Sequence, residues 1–310
     1  MTSGNRIIPI RCRQPNDTRN RLSRVIRSNQ TPWHGPPPDQ VMIPLATAVL
    51  LLAGTTTDLV SDPFIADSRR VAHQAMASMA DKPVAQAMVD QALHWLGRPY
   101  NAGSLDRQPR ENLRIDLTAF DCLLLVEQLL ALAHSRSSDA LIEQVRLLRY
   151  DGGEVSFCRR HHYFSRWAAA AAARGLVSDI TSGLPGAVTR ERPLRFMGRH
   201  GHLYGPMAKA ENRACILRSE QGLKVRQTYV PLERLRAATP WLRSGDIFAL
   251  VTAVPDLDVT HTGLLERREG RMDALHAAPG RGVMRSPDLV RYAAAVPDVI
   301  GVSVLRPSDR

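Results

Sequence analysis

The residues best suited to chemistry are Cys122 and two of the ten histidines, His261 and His276. Cys122 stands in the run Phe120-Asp121-Cys122-Leu123-Leu124-Leu125-Val126-Glu127. Aspartate is a good N-cap residue, so Asp121 would let Cys122 open a helix. A thiol there sits beside unpaired backbone N–H groups and the positive end of the helix dipole. Both favour thiolate over thiol, the form a nucleophile needs. The Asp121 charge opposes this, so a basic partner is required. The same position also suits a small buried hydrophobe, the commonest fate of an unbridged cysteine. Local sequence leaves both readings open.

The basic partner must come through the fold rather than through proximity in sequence. His261 lies in Val259-Thr260-His261-Thr262-Gly263-Leu264-Leu265, and His276 in Ala274-Leu275-His276-Ala277-Ala278. A short hairpin would set these two runs side by side with both imidazoles on one face. One ring could then act as general base to the thiol while the other orients it. Either histidine taken alone also reads as a satisfied core or surface group.

The elements that must position these groups are legible in part. Apolar spacing predicts a helix over 65–80. Val84, Met88, Ala92 and Trp95 form a second stripe, with Asp81 as its expected N-cap and Gly97 as its stop. Further helices are expected from Cys122 to about His134, through Leu141, Val145 and Leu148, and over His162–Arg174. Strands are expected at Ile247–Thr252, Val259–Leu265, Met272–Ala277 and Val299–Leu305, joined by short turns as in an antiparallel sheet. Helices first and strands later is the α+β pattern.

The charge of +11 invites a nucleic-acid reading, and its distribution argues against one. Residues 1–40 carry seven arginines against Asp17 and Asp39, a net of +5, which leaves +6 for the other 270 residues. Those arginines are interleaved with acids, and aromatics are 5%, unlike a basic stripe with stacking residues. Residues 1–40 read as a disordered basic tail ending in Pro36-Pro37-Pro38. Val41–Gly54 resembles the apolar core of a secretory signal, so 41–61 reads as a signal-like segment and linker. No run of eighteen apolar residues predicts a membrane span. Four cysteines in 310 residues are too sparse for a disulfide scaffold, and Cys12 lies in the polar tail. Residues 62–310 read as one domain.

One ordered set of motifs ties these pieces together. Gly97-Arg98-Pro99-Tyr100, Phe120-Asp121-Cys122, Gly245-Asp246, His261-Thr262-Gly263 and His276 follow one another as in the papain-like cell-wall peptidases of the NlpC type. A subfamily once catalogued as a domain of unknown function, and described as N-acetylmuramoyl-L-alanine amidase-like, is more similar still. Its pattern resembles Tyr100-Asn101-Ala102-Gly103-Ser104-Leu105, Asp121-Cys122 with Val126-Glu127, Arg149-Tyr150, Arg160-x-His162-Tyr163-Phe164-x-x-Trp167, Leu257-Asp258-Val259-Thr260-His261-Thr262-Gly263 and His276-Ala277. The resemblance runs from about Leu93 to Arg306.

The resemblance implies a papain-like α+β fold, with the Cys122 helix packed on a C-terminal antiparallel sheet. It implies an amidase in which Cys122 attacks the N-acetylmuramoyl–L-alanine amide, His261 moves the proton and His276 holds the His261 ring. A D-glutamyl–diaminopimelate endopeptidase and an idle muropeptide-binding protein are the alternatives. Tyr100 would line the site, as would Asp121, which is otherwise only a cap. Arg160 and His162 would contribute a wall able to read a carboxylate-bearing stem peptide, or else a structural helix. Asp258 is expected to serve a turn. Leu123 and Leu124 depart from the hydroxyl or Ser-Gly residues usual after the cysteine, which alters the wall beside the thiol. His161-His162 and His200-x-His202 lack metal-site spacing, so neither metal nor cofactor is expected. The expected substrate is peptidoglycan or a muropeptide, with no nucleic acid, in the periplasm or cell envelope. The sequence shows no oligomeric interface.

Overall fold

The computed structural model describes residues 62–108 and 110–309. The basic stretch 1–40 and the apolar run Val41–Gly54 lie outside the described residues.

The helical layer holds α1 (Ser68–Met79), α2 (Val84–His94), α3 (Cys122–Ala133), α4 (Ser138–Arg149) and α5 (Phe164–Ala173). α3 is apolar nearly all round, which places a helix in the interior. Leu125, Val126 and Leu129 are fully buried. A buried leucine of this kind stabilises by about 1.5–3 kcal/mol relative to exposure. The charged exception is Glu127, paired with Arg149 of α4 at 2.6 Å, both side chains at most 3% exposed. The stripe expected on α2 is real: Val84, Met88, Ala92 and Trp95 are all buried.

Two helix starts differ from expectation. α2 begins after Pro83 without a side-chain cap, so Asp81 does not cap it. Asp309, near the C-terminus, instead accepts from the Val84 N–H at 2.9 Å. α5 starts at Phe164, two residues later than expected, and its Ser165 N–H donates to Asp258 at 2.8 Å.

The sheet carries β1 (Val177–Asp179), β2 (Val188–Pro193), β3 (Lys224–Pro231), β4 (Ile247–Thr252), β5 (Val259–Arg268), β6 (Arg271–Ala278), β7 (Gly282–Ser286) and β8 (Val299–Pro307). The order is β2-β3-β8-β4-β5-β6-β7, with β1 on β8, and every pairing is antiparallel. The last strand thus returns to the middle of the sheet. Short helices α6 (Phe196–Arg199) and α7 (Ala210–Glu220) lie between β2 and β3, α8 (Leu232–Ala238) follows β3, and α9 (Leu289–Ala295) precedes β8.

Side chains alternate across the strands, as the pleat requires. Ile247, Ala249, Leu264, Leu275 and Ala277 face the core built with α1–α5. Phe248, Leu250, Leu265 and Ala274 face a second core with α8 and α9. The α+β class holds, with helices covering both faces of the sheet. β1, β2, β3, β7 and α6–α9 were not foreseen, because their runs carry no distinct apolar period. Among the described residues no helix is long and apolar enough to cross a membrane.

Candidate active site

Cys122 opens α3 as expected. Asp121 caps the helix with extended backbone, its carboxylate accepting from the Leu124 N–H at 2.8 Å. Cys122 is fully buried and keeps its thiol. The other cysteines of the described region, Cys158 and Cys215, form a disulfide across a sequence separation of 57. That bridge corrects the expectation drawn from sparse cysteines: the domain is not a disulfide scaffold, yet it carries one disulfide. The segment at Tyr100 runs beside the entry to α3, with the Asn101 N–H donating to the Phe120 carbonyl at 2.9 Å. α3 packs against β5 and β6, the strands that bear the two histidines.

His261 and His276 meet directly. His261 Nε2 lies 2.9 Å from His276 Nδ1, and His276 Nε2 lies 2.9 Å from Ser286 Oγ on β7. Both rings are almost completely enclosed, at 2% and 0% exposure. Burial is the main force holding His261 well below the usual histidine range, with the His276 charge adding. Burial, then Arg281, lowers His276 to about 3. Two neutral imidazoles result, so His261 can receive a proton.

The imidazoles emerge on the face of Phe248 and of Tyr292 on α9, whose ring centroid is 4.8 Å from that of His276. Gly263 makes this packing possible. A Cβ there would stand 2.8 Å from both His276 Cβ and the Phe248 ring. Leu264 and Leu275, on the other face, meet the α1–α5 core. Register slips beside His261: Leu250 opposes His261, and Val251 opposes Val259. Thr260 is the extra residue of a β-bulge, a device that bends a strand and re-aims its side chains.

A second group lines a pocket on the other side of α3. Asp121, Leu123, Leu124 and Glu127 face Arg160 and His162 across it, with Trp167 and Tyr204 beside them. Burial pushes Asp121 up to about 6, with the Leu124 N–H opposing and Glu127 adding. Arg160 is not a bare cation awaiting a carboxylate: it is hydrogen-bonded to Asp106 and lies 3.4 Å from Glu111. His162 precedes α5 rather than lying within it. Its Nε2 donates to the Phe157 carbonyl at 2.7 Å, and burial followed by the Arg160 charge lowers it to about 3. It is a neutral wall residue.

Asp258 is no mere turn residue. It is buried, one oxygen accepting from Ser165 at the start of α5 and the other from the Val259 N–H. Sequence reasoning also missed Ser286, Tyr292, Asp106 and Glu111. For Ser286 a signal existed, since Pro279-Gly280 marks a turn after β6 and a returning strand should follow. Among the described residues, no group of three or more His, Cys, Asp or Glu could hold a metal ion.

Residues 90–299 match a family model described as N-acetylmuramoyl-L-alanine amidase-like. The fold is similar to that of an N-acetylmuramoyl-L-alanine amidase from Bacteroides uniformis, with a TM-score of 0.67 and 29% identity over 73% of this chain and 99% of that one. It is similar to a Bacteroides fragilis protein provisionally named a xylanase, with a TM-score of 0.64 and 29% identity over 70% and 99%. A Legionella pneumophila protein at 16% identity shares the fold, with a TM-score of 0.64 over 79% and 96%. No curated protein matches the sequence.

Proposed function

Because the chain belongs to the N-acetylmuramoyl-L-alanine amidase-like family, we propose that it is a cell-wall amidase working through a cysteine nucleophile. The family and the similar amidase support hydrolysis of a cell-wall amide. The observation that carries the cysteine mechanism is the buried His261–His276 hydrogen bond on strands packed under the helix that Cys122 opens. A cysteine at a helix start beside an antiparallel sheet bearing two histidines supports a papain-like, NlpC-type arrangement.

In this reading Cys122 Sγ attacks the carbonyl carbon of the N-acetylmuramoyl–L-alanine amide. His261 Nδ1, the ring nitrogen not engaged by His276, takes the thiol proton. The Cys122 backbone N–H, at a helix start, is a donor for the developing oxyanion. The C–N bond then breaks, His261 returns the proton to the leaving amine of the peptide, and a thioester joins Cys122 to the muramoyl acyl group. Water, deprotonated by His261, hydrolyses the thioester to a carboxylate and the thiol. The imidazoles rise from the sheet face that carries Phe248 and Leu250, opposite the face on which α3 packs, so this reading requires Cys122 to reach His261 around the start of β5. The Thr260 bulge supports that approach.

A glycosidase would need two poised carboxyl groups. Of the three carboxylates lining the pocket, Glu127 is bound by Arg149, Asp106 by Arg160, and Asp121 caps α3, so none is placed to serve. The Cys158–Cys215 bridge supports an oxidising compartment such as the periplasm. Digestion of purified muropeptides, read by mass spectrometry, tests the reaction. Release of an intact L-alanyl peptide from the sugar is expected. Cleavage between D-glutamate and diaminopimelate would instead establish the endopeptidase.

A further inference from the structure

Ser286 closes a chain of hydrogen bonds that runs from the reacting side of His261 into the core. The order is His261 Nδ1, His261 Nε2, His276 Nδ1, His276 Nε2, Ser286 Oγ, with both internal contacts at 2.9 Å. His276 pairs with Met284 across β6 and β7, so Ser286, two residues further on, shares its face. Ser286 is 9% exposed and His276 is fully buried, so solvent does not replace this contact.

A neutral imidazole carries one N–H, and the chain therefore has two proton arrangements. In one, Ser286 accepts from His276 Nε2–H, His276 Nδ1 accepts from His261 Nε2–H, and His261 Nδ1 is left as a lone pair. In the other, the Ser286 hydroxyl donates to His276 Nε2, His276 Nδ1–H donates to His261 Nε2, and His261 carries its proton on Nδ1. Only the first leaves His261 able to take a proton from a thiol. It also keeps both contacts after His261 becomes an imidazolium, because His261 Nε2 remains the donor.

We propose that Ser286 is a positioning residue whose hydroxyl, as terminal acceptor, fixes His276 and through it His261 in the productive tautomer. The assignment rests on the cysteine-hydrolase reading for its catalytic consequence, though not for the tautomers themselves. Without the hydroxyl, a His276 Nε2–H would be a buried donor with no acceptor, which is costly. The chain is then expected to invert, moving the His261 proton to Nδ1.

The test combines nitrogen-15 NMR of histidine-labelled protein with muropeptide kinetics. In the wild type, both His261 and His276 should be protonated on Nε2; finding His276 protonated on Nδ1 overturns the proposal without any variant. In Ser286→Ala the His276 proton should move to Nδ1, and kcat should fall on the order of 10²–10⁴-fold with KM unchanged, the upper figure being the ~10⁴-fold cost of a wrong histidine tautomer in a triad. Ser286→Thr, which keeps a hydroxyl, should restore the wild-type tautomers and bring kcat back to within a few-fold. Unchanged tautomers and kcat in Ser286→Ala would overturn the proposal, as would failure of Ser286→Thr to restore them. Cys122→Ala, assayed in parallel, tests the underlying reading separately: retained turnover there refutes the cysteine mechanism and leaves the tautomer result to stand or fall by itself.

Discussion

Single side chains in this site are governed by burial more than by neighbouring charge. His276 illustrates it, lowered to about 3 chiefly because its charged form is excluded from water. A histidine depressed in the folded state adds stability above its unfolded value of about 6.5, and that contribution drains away as pH falls towards 3. Replacing His276 with Asn should therefore cost less at pH 4.5 than at pH 7.5, the difference being about 3 kcal/mol. Urea unfolding at the two pH values measures it. Gly263 is a second residue whose role follows from space alone. A Cβ there would lie 2.4 Å from the Leu275 carbonyl and 2.8 Å from His276. Gly263→Ala should lower stability by at least about 1–3 kcal/mol, the usual cost of overpacking, and should lower turnover as well, since strand β6 must shift with its histidine. Denaturation and the muropeptide assay read the two effects.

At the scale of elements, the site depends on how β5 begins and on what holds the helix beside it. Asp258 fastens the first turn of α5 to the strand two residues before the Thr260 bulge. Asp258→Ala should cost about 1–3 kcal/mol in urea unfolding, because Ser165 N–H and Val259 N–H lose their buried acceptor. Within the helical layer, Glu127 and Arg149 form a buried pair, and removing one partner of such a pair typically costs about 3–5 kcal/mol. Much of this level was legible in the sequence. The Val84 to Trp95 stripe, the Asp121 cap with Cys122 after it, and the strands at 247–252 and 259 onward all stand where their periodicity and cap chemistry put them. What escaped was non-local. Asp309 capping α2 and Asp258 capping α5 are contacts between residues far apart in the chain, and no local pattern encodes them. Likewise Arg160 reads as an available cation in sequence, because Asp106 and Glu111 reach it only through the fold.

Across the whole molecule, charge and cysteines carry different weight from their raw counts. Nearly half of the +11 lies in residues 1–40, outside the described domain, and the rest is spread among acids. The Cys158–Cys215 bridge ties the segment carrying Arg160 and His162 to α7. On the chain-entropy account, a bridge spanning 57 residues stabilises by about 4 kcal/mol. Reduction with dithiothreitol should thus lower the unfolding midpoint, and a Cys158→Ser/Cys215→Ser double variant should show the lower midpoint with or without reductant. The cysteine left over in the described region, Cys122, carries the central claim. Turnover of purified muropeptide by Cys122→Ala, with circular dichroism confirming the fold, tests it most directly. The account predicts turnover reduced by at least about 10³-fold, in line with loss of a nucleophile. Turnover close to wild type in the folded variant would contradict it.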